Sequence, residues 1–320
     1  MRVLVVKTSS MGDVVHTLPA LTDATDALGE IDFDWACEPA FSEIPRWHPS
    51  VSDVLTTPFR KWRGRFPRVL FSKEFQAYKC TISDRCYDAV IDAQGLMKSA
   101  FLITRFAKGV KHGFNARSVR ERFASLAYNK RHGVSKSMHA IERTRHLFAC
   151  ALNYPLPETT PDASIDLGRP LNIENKIVLI TQTSRQSKYW PESFWRQIIE
   201  DALLQFDTIV LPVGSDSEYE AANLVYGDLP VRILNQFPLT DVACEIAGSR
   251  AVVSVDTGLA HISDALSVPL LVLYGPTDPR LVGPIGSKSE IIKSPSVKMD
   301  CISPDTVMSW IRTLNTGLGE

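Results

Sequence analysis

The sequence of 320 residues contains no hydrophobic run long enough to cross a membrane, and its first apolar stretch, RVLVV, ends at Lys7. A membrane-spanning helix needs about 20 apolar residues, and the core of a secretory signal peptide needs about seven or more. The six cysteines are scattered, with no CxxC pair and no cysteine and histidine spacing of the kind that holds zinc. These absences predict a protein that stays in the cytoplasm, with reduced cysteines and without a zinc site.

Three common ligand-binding and catalytic motifs are also missing. The sequence has no GxGxxG and no GxxxxGK[ST], which argues against a nicotinamide-dependent Rossmann enzyme and against a P-loop enzyme. It has no GxSxG elbow, which argues against a hydrolase of the α/β-hydrolase fold. Any ligand of this chain is therefore expected to be recognised by loops of another kind.

The formal net charge is only −1, but the two halves of the chain differ in sign. Residues 1–160 hold 23 Lys and Arg against 16 Asp and Glu, whereas residues 161–320 hold 12 against 20. Between Lys98 and Arg145 there are twelve basic and two acidic residues. This excess predicts an anionic partner for the first half, either nucleic acid, an acidic membrane surface or a phosphorylated ligand, although a solvated helical face explains part of it. The lack of a nucleic-acid recognition motif and the acidic second half argue against nucleic acid.

Short runs rich in β-branched residues alternate with segments of helical period in both halves. In the first half RVLVVK, FDWAC and DAVIDAQ read as strands, with helices predicted at 14–28 and through MKSAFLITRFA. In the second half KIVLITQ, DTIVLPVG, AVVSVD and LLVLYG read as strands, with helices predicted near 192–205, 217–226 and 304–314. This alternation predicts an α/β protein with parallel sheets covered by helices.

The alternation lapses between Tyr154 and Asn175, a segment with four prolines and little periodicity. Proline interrupts both helices and strands, so this stretch is typical of a linker. We therefore expect two Rossmann-like domains, residues 1–160 and 176–320, joined by a linker at 161–175.

In open parallel sheets, ligands bind at the carboxyl ends of the strands, where loops run into helices. The first such loop, TSSMGD, carries the acidic residue Asp13 beside Gly12. Aspartate is favoured at such junctions because its oxygen caps the helix, and a carboxylate there is equally suited to take a proton from a bound hydroxyl. The residues alone leave both interpretations open.

The loops of the second half offer the groups of a phosphate site. Main-chain N–H groups at DTG, where AVVSV becomes a helix, can receive a phosphate at the positive end of that helix. The hydroxyls and the ammonium of TSRQSK add further donors, and a glutamate in GSDSE can accept hydrogen bonds from a ribose. The ordinary alternatives are that Asp256 only caps the helix, that Lys188 is a surface lysine and that His261 is packed in the core. The candidates are Thr183, Ser184, Lys188, Glu218, Asp256, Thr257, Gly258 and His261.

Two polar motifs of the first half remain. RKWRGR, residues 60–65, places Trp62 among arginines and a lysine, which fits a phosphorylated glycolipid and a tryptophan at a membrane interface, or simply a polar loop. DFD, residues 32–34, looks like the DxD metal motif of some glycosyltransferases. Because it precedes a predicted strand, we interpret it as structural.

Several blocks together resemble one family. They are MRVLVVKTSSMGDVVHTLPAL, DAVIDAQGLMKSA, KHGFNARSVRERFASLAYN, HAIERTR, KYWPESFW and VVSVDTGLAHISDAL. In this order, over nearly the whole chain, they are similar to the inverting heptosyltransferases that build lipopolysaccharide and that have the GT-B fold. The resemblance implies two Rossmann-like domains whose parallel sheets face each other across a cleft, with a C-terminal helix that crosses back to the first domain.

The resemblance also implies a reaction. Heptose would pass from ADP-L-glycero-β-D-manno-heptose to the first Kdo sugar of Kdo2-lipid A, with inversion and without a cofactor or an obligatory metal. A relative with another acceptor, such as one that adds a second heptose or uses a Kdo-phosphate lipid A, differs only in pocket detail. The enzyme would lie peripherally on the cytoplasmic face of the inner membrane, with no nucleic acid as partner.

Residue roles follow from the same resemblance. It makes Asp13 the base and Lys188 the group that stabilises the departing diphosphate, and it assigns the donor site to the eight second-half candidates named above. Phe237 stands where relatives place a methionine against adenine, and Thr181, Gln186 and Ser187 also depart from the family pattern. The acceptor site is assigned to Ser10, Gly12, Arg60, Lys61, Arg63, Lys98 and Arg120.

Overall fold

The computed structural model describes residues 1–62 and 68–316, apart from the side chains of residues 60, 315 and 316. The chain divides into two compact units, Met1–Asp166 and Leu167–Glu320. The division falls inside the segment 161–175 that the sequence predicts as a linker.

Each unit contains one parallel sheet of six strands. In the first unit the strands are β1 Arg2–Val6, β2 Asp32–Cys37, β3 Val51–Thr56, β4 Cys86–Asp92, β5 Lys108–Phe114 and β6 Lys130–His132. In the second unit they are β7 Lys176–Ile180, β8 Thr208–Val213, β9 Val231–Asn235, β10 Ala251–Val255, β11 Leu270–Tyr274 and β12 Ser289–Lys293. The predicted α/β class with two parallel sheets is confirmed.

The two sheets have the same topology. The strand orders are β3-β2-β1-β4-β5-β6 and β12-β11-β10-β7-β8-β9, and every pairing is parallel. In each sheet the chain starts in the middle, builds outwards and returns to the other side of its first strand. The direction reverses between β1 and β4 and between β7 and β10, and a ligand crevice forms at such a switch point.

The connections are helical. In the first unit the α-helices are α1 Met11–Val15, α2 Leu18–Leu28, α3 Glu43–Arg46, α4 Phe59–Trp62, α5 Lys73–Ser83, α6 Met97–Ser99 and α7 Ala140–Leu152. In the second they are α8 Glu192–Ala202, α9 Asp216–Tyr226, α10 Leu239–Ala247, α11 Gly258–Ala265, α12 Pro279–Val282 and α13 Pro304–Thr316. Shorter 3₁₀ turns lie at Pro39–Phe41, Arg68–Phe71, Arg122–Ala127, Gln186–Lys188 and Met299–Cys301, and a π-helical turn lies at Ala100–Thr104.

Two predicted helices are shorter or more broken than their patterns indicate. The helix predicted over 14–28 is divided into α1 and α2, because Pro19 lies in the first turn of α2 and cannot donate to a preceding turn. The helix predicted through MKSAFLITRFA is α6 followed by the π-helical turn.

The central strands are apolar because both faces are covered. Every residue of β7 and β10 is buried, which is typical of parallel strands between two helical layers. Helix α13 contributes Val307 and Ile311 to the core of the second unit, together with Trp195 of α8. No helix of the described ranges is long and apolar enough to cross a bilayer.

Trp62 belongs to the core of the first unit. Its side chain is 1% exposed, and its ring packs edge-on against Phe75 and Tyr78 at 5.5 and 5.2 Å between centroids. Phe59 packs against the same ring at 5.8 Å. The prediction that this tryptophan lies at a membrane interface is therefore wrong, because these three aromatic rings bury it.

Candidate functional site

The switch point of the first unit is formed by the loops that follow β1 and β4. The β1 loop runs from Lys7 to Ser10, where α1 begins with Ser10 as its N-cap. Asp13 is the third residue of this helix. Its Oδ2 accepts hydrogen bonds from the Ser10 N–H and the Ser10 hydroxyl, both at 3.0 Å. The carboxylate therefore helps to cap α1 as the third-residue partner of a capping box, whereas the N-cap itself is Ser10.

Capping does not occupy the whole carboxylate. The other oxygen, Oδ1, lies 3.3 Å from Nζ of Lys7, and a third of the Asp13 side chain, 33%, is exposed. Burial acts to raise the pKa of Asp13, but the Lys7 ammonium, the Ser10 hydrogen bonds and the charge of His16 outweigh it and lower this pKa to about 2. Asp13 is thus an ionised, partly exposed carboxylate at neutral pH, which is the form that accepts a proton.

The β4 loop holds the β1 loop in place. The Oε1 atom of Gln94 accepts hydrogen bonds from the Thr8 N–H at 2.7 Å, the Ser9 N–H at 3.0 Å and the Thr8 hydroxyl at 3.1 Å. Nζ of Lys7 donates to the Ala93 carbonyl at 3.1 Å. Because Gln94 is 5% exposed, its amide is a fixed buried anchor for the segment that leads into Asp13.

Asp92 in turn fixes the β4 loop. It is fully buried and accepts hydrogen bonds from the main-chain N–H groups of Gln94 at 3.0 Å and Gly95 at 2.9 Å. The hydroxyls of Ser99 and Thr104 donate to the same carboxylate. Sequence reasoning missed Lys7, Asp92 and Gln94 as parts of this site, although each lies at or just after the end of a buried strand.

The switch point of the second unit brings the loops after β7 and β10 together. Nζ of Lys188 lies 2.6 Å from Oδ2 of Asp256, and the Thr183 hydroxyl donates to the Asp256 carbonyl at 3.1 Å. Thr257 is the N-cap of α11, and Gly258 is its first residue. Five predicted donor residues from two distant segments thus lie at one edge of the sheet.

The remaining members of the predicted donor set follow from these positions. His261 lies one turn into α11 and is buried, whereas Ser184 is exposed in the β7 loop. The side chain of Lys188 is 15% exposed and that of its partner Asp256 only 8%. A cation beside a helix N-terminus is the usual equipment for an anion such as a diphosphate.

Glu218 and Phe237 lie further along the sheet, after β8 and β9. The Glu218 N–H donates to the Ser215 hydroxyl at 3.2 Å, and its carboxylate accepts the Gly214 N–H at 2.7 Å. Phe237 is 51% exposed. A hydrogen bond of 3.0 Å from Asn235 to Asp216 joins the two loops, so Glu218 and Phe237 belong to neighbouring loops that lie on the β7 side of the switch point.

Some of the predicted acceptor residues have ion-pair partners, others are characterised only by their exposure, and two lie wholly or partly outside the described residues. Lys98 lies 3.5 Å from Glu38 and over the ring of Phe59, and the Glu38 N–H donates to the Thr8 carbonyl at 3.0 Å. Lys98 is therefore tied to the Asp13 loop. Lys61 pairs with Glu74 at 3.0 Å, Arg120 is exposed, Gly12 is buried in α1, and Arg63 and the side chain of Arg60 lie outside the described residues.

Part of the basic excess is structural. The guanidinium of Arg145 is buried against Asp23 at 2.6 Å and donates to the carbonyls of Pro157 and Thr159.

The DFD motif is also structural, as predicted, because Asp34 is fully buried and binds Arg2 and Arg85 at 2.9 and 2.8 Å. Throughout the part of the chain that the structure describes, no three His, Cys, Asp or Glu side chains are grouped as a metal site needs.

Comparison with known proteins identifies the family of this chain. The model of glycosyltransferase family 9 (heptosyltransferase) matches residues 77–310. Lipopolysaccharide heptosyltransferase 1 of Escherichia coli K12 is 43% identical over 319 residues, which cover 98% of this chain and 100% of that protein. The solved structure of E. coli heptosyltransferase WaaC with ADP superposes with a TM-score of 0.92 at 42% identity, over 98% of this chain and 100% of that one. WaaC with ADP-2-deoxy-2-fluoro heptose gives 0.90 at 42% identity, over 98% and 99%.

Proposed function

This chain belongs to glycosyltransferase family 9, the heptosyltransferases, and from that membership we propose that it moves L-glycero-D-manno-heptose from ADP-heptose to the first Kdo sugar of Kdo2-lipid A. The observation that carries the proposal is the likeness along the whole chain to a protein named lipopolysaccharide heptosyltransferase 1. The two switch-point sites supply groups that such a transfer needs, a carboxylate in one unit and an ammonium in the other.

In this proposal the second unit binds ADP-heptose. The start of α11 and the Lys188 ammonium receive the diphosphate, with Thr183 and Ser184 as hydroxyl donors. When the bond from the sugar to the diphosphate breaks, negative charge grows on the leaving ADP, and Lys188 stabilises that charge more than the ground state. Glu218 binds the ribose hydroxyls, Phe237 stacks on adenine, and no metal or other cofactor is required.

The first unit activates the acceptor. Asp13 takes the proton of the attacking Kdo hydroxyl while that oxygen forms its bond to the anomeric carbon on the face opposite to ADP, so the configuration inverts. A carboxylate whose pKa is about 2 is a weak base for an unreacted hydroxyl. It becomes competent as the new bond forms and the hydroxyl proton grows acidic, which is a late proton transfer.

The acceptor is a membrane lipid with phosphates and carboxylates. Ser10 and Gly12 line its sugar, and Arg60, Lys61, Arg63, Lys98 and Arg120 bind its anionic groups, since guanidinium groups bind phosphate in a bidentate manner. We accordingly place the enzyme peripherally on the cytoplasmic face of the inner membrane.

The test is an assay of purified protein with Kdo2-lipid A and a panel of nucleotide sugars, with or without EDTA. We expect ADP release and a product heavier by one heptose with ADP-heptose alone, an inverted anomeric centre by NMR, and the same rate in EDTA. Parallel reactions use Kdo-phosphate lipid A and heptosyl-Kdo2-lipid A as acceptors. Preferred transfer to either of these refutes the proposed acceptor, and the absence of any heptosylated product refutes the activity.

A further inference from the structure

The short 3₁₀ turn Arg122–Ala127 exposes two large apolar side chains and buries two small ones, the reverse of an ordinary surface helix. Phe123 is 64% exposed and Leu126 is 63% exposed, whereas Ala124 and Ser125 are 0% and 3% exposed. A 3₁₀ turn has three residues per turn, so Phe123 and Leu126 lie one above the other on a single face. Among residues 1–62 and 68–316, nothing removes these two large apolar side chains from water.

A third exposed apolar residue is hydrogen-bonded to the residue that precedes this turn. Met97 is 45% exposed, and its N–H donates to the carboxylate of Glu121 at 2.6 Å, immediately before the 3₁₀ turn. We call Met97, Phe123 and Leu126 the apolar face. Single exposed apolar residues are common, but a contiguous group usually marks an interaction surface.

The surroundings of the apolar face are basic. Residues 117–131 contain five Lys and Arg and a single acid, Glu121, and that acid is engaged by the Met97 N–H. Arg120, Arg122 and Lys130 are exposed. A partner that is complementary to the apolar face and its basic surroundings therefore has an apolar interior and a negatively charged surface.

We propose that the apolar face docks the first unit on an anionic lipid bilayer, with Phe123 and Leu126 at the boundary between headgroups and acyl chains and with Arg122 and Lys130 on lipid phosphates. Phe and Leu on one face with arginines beside them are the usual composition of an interfacial membrane segment. A protein interface instead tends to lack charge at its centre and to be larger. The choice of a bilayer rests on the proposed function, because the proposed acceptor is itself a membrane lipid.

The experiment is flotation of the full chain with vesicles of phosphatidylethanolamine and phosphatidylglycerol, compared with vesicles of phosphatidylcholine. We expect wild type to bind the anionic vesicles, and Phe123→Ser/Leu126→Ser to bind them at least about tenfold more weakly. Leu204→Ser/Leu224→Ser is the matched control, because these leucines of the second unit are 85% and 87% exposed, and it should bind like wild type. Arg122→Gln should weaken binding to the anionic vesicles at low salt and have less effect at high salt.

Folding is checked for each variant by its melting temperature and its affinity for ADP. Equal binding of wild type to both kinds of vesicle, equal binding of the two double variants, or a switch from dimer to monomer in the Phe123 variant each overturns the proposal. The last outcome would assign the apolar face to a second copy of the chain. Heptose transfer by wild type is measured separately, so a failed reaction with vesicle binding that depends on the apolar face refutes only the proposed function.

Discussion

Each switch point contains a lysine paired with an aspartate. The partner with the more exposed side chain is the aspartate in the first unit and the lysine in the second. In the first unit Lys7 and Asp13 are 3.3 Å apart, and the lysine is 10% exposed whereas the carboxylate is 33% exposed. In the second unit Lys188 and Asp256 are 2.6 Å apart, and the lysine is 15% exposed whereas the carboxylate is 8% exposed. One unit thus offers a ligand an anion and the other offers it a cation, on identical strand orders.

The two pairs differ in which partner has the more exposed side chain. Lys7 directly follows β1, and its ammonium donates a hydrogen bond to the Ala93 carbonyl. Its positive charge lies beside Asp13 and helps to keep that carboxylate ionised. Asp256 comes directly at the end of β10 and pairs with Lys188 at 2.6 Å. In both pairs the residue that directly follows the strand has the less exposed side chain.

Capping alone does not distinguish a reactive carboxylate. Ser10 with Asp13 on α1 and Ser215 with Glu218 on α9 form the same arrangement of a serine N-cap and an acidic third residue. Glu218 follows β8, away from the switch point, whereas Asp13 lies at it with a buried lysine beside it. Position in the sheet therefore separates two residues that local sequence makes alike.

The largest effect is expected when the anion of the first unit is removed. Asp13→Asn keeps an oxygen that can cap α1, so stability should change by about 1 kcal/mol or less, but the amide accepts no proton. We expect turnover to fall by about 10² to 10⁴ or more, with ADP affinity within a few-fold of wild type by calorimetry. An equal loss of ADP affinity would mean that Asp13 only shapes the fold.

Removal of the cation of the second unit should act on the donor. Lys188→Met is expected to weaken ADP-heptose binding by about 10- to 100-fold, since a hydrogen bond to a charged group contributes about 1.5 to 3 kcal/mol. Some of this loss comes from the buried Asp256 left without its partner, so Lys188→Met/Asp256→Asn should recover part of it. Arg185→Met, an exposed cation of the same loop, is the control, and a loss as large as that of Lys188→Met would point to general charge attraction instead.

A smaller effect is expected when the loop that carries Asp13 loses its anchor. Gln94→Leu removes the oxygen that accepts three hydrogen bonds from Thr8 and Ser9, whereas Gln94→Glu keeps an acceptor of the same length. We expect kcat to fall about tenfold in Gln94→Leu with KM for ADP-heptose unchanged, because misplacement of a catalytic group costs rate rather than donor affinity. Gln94→Glu should retain more activity than Gln94→Leu, and the reverse order would contradict a positioning role.

The fold could be predicted from sequence where strands are buried on both faces. KIVLI, AVVSV and LLVLY are continuous apolar runs because helices cover both sides of β7, β10 and β11. The edge strands β6 and β12 were not predicted, since KRH and SEIIK are largely exposed and carry no periodic signal.

The sequence predicted only those residues of the candidate site that can be located by their position after a strand. Asp256 directly follows β10, whereas Asp13 and Lys188 lie in the connections that leave the carboxyl ends of β1 and β7. The rule for parallel sheets therefore finds all three. Gln94 and Lys7 were missed because their contacts join residues 85 or 86 positions apart in the chain, and no local pattern records that. Trp62 was misassigned for the same reason, since its burial depends on α5.

The smallest effect at neutral pH is expected for Lys7, and it tests how the first pair is built. Lys7→Met removes the interaction that most lowers the pKa of Asp13 and leaves burial, the Ser10 hydrogen bonds and His16, so this pKa should rise from about 2 towards its ordinary value of 3.8. Ionised Asp13 stabilises the folded chain above pH 3.8, and wild type loses that stability as the pH falls towards 2. In Lys7→Met this acid loss should become smaller, and the acid limb of kcat/KM should move to higher pH. Carbon-13 NMR of the Asp13 carboxyl measures the shift directly, with Lys7→Arg as the control that keeps the charge, and an unmoved pKa in Lys7→Met would show that Ser10 and His16 set the charge of Asp13.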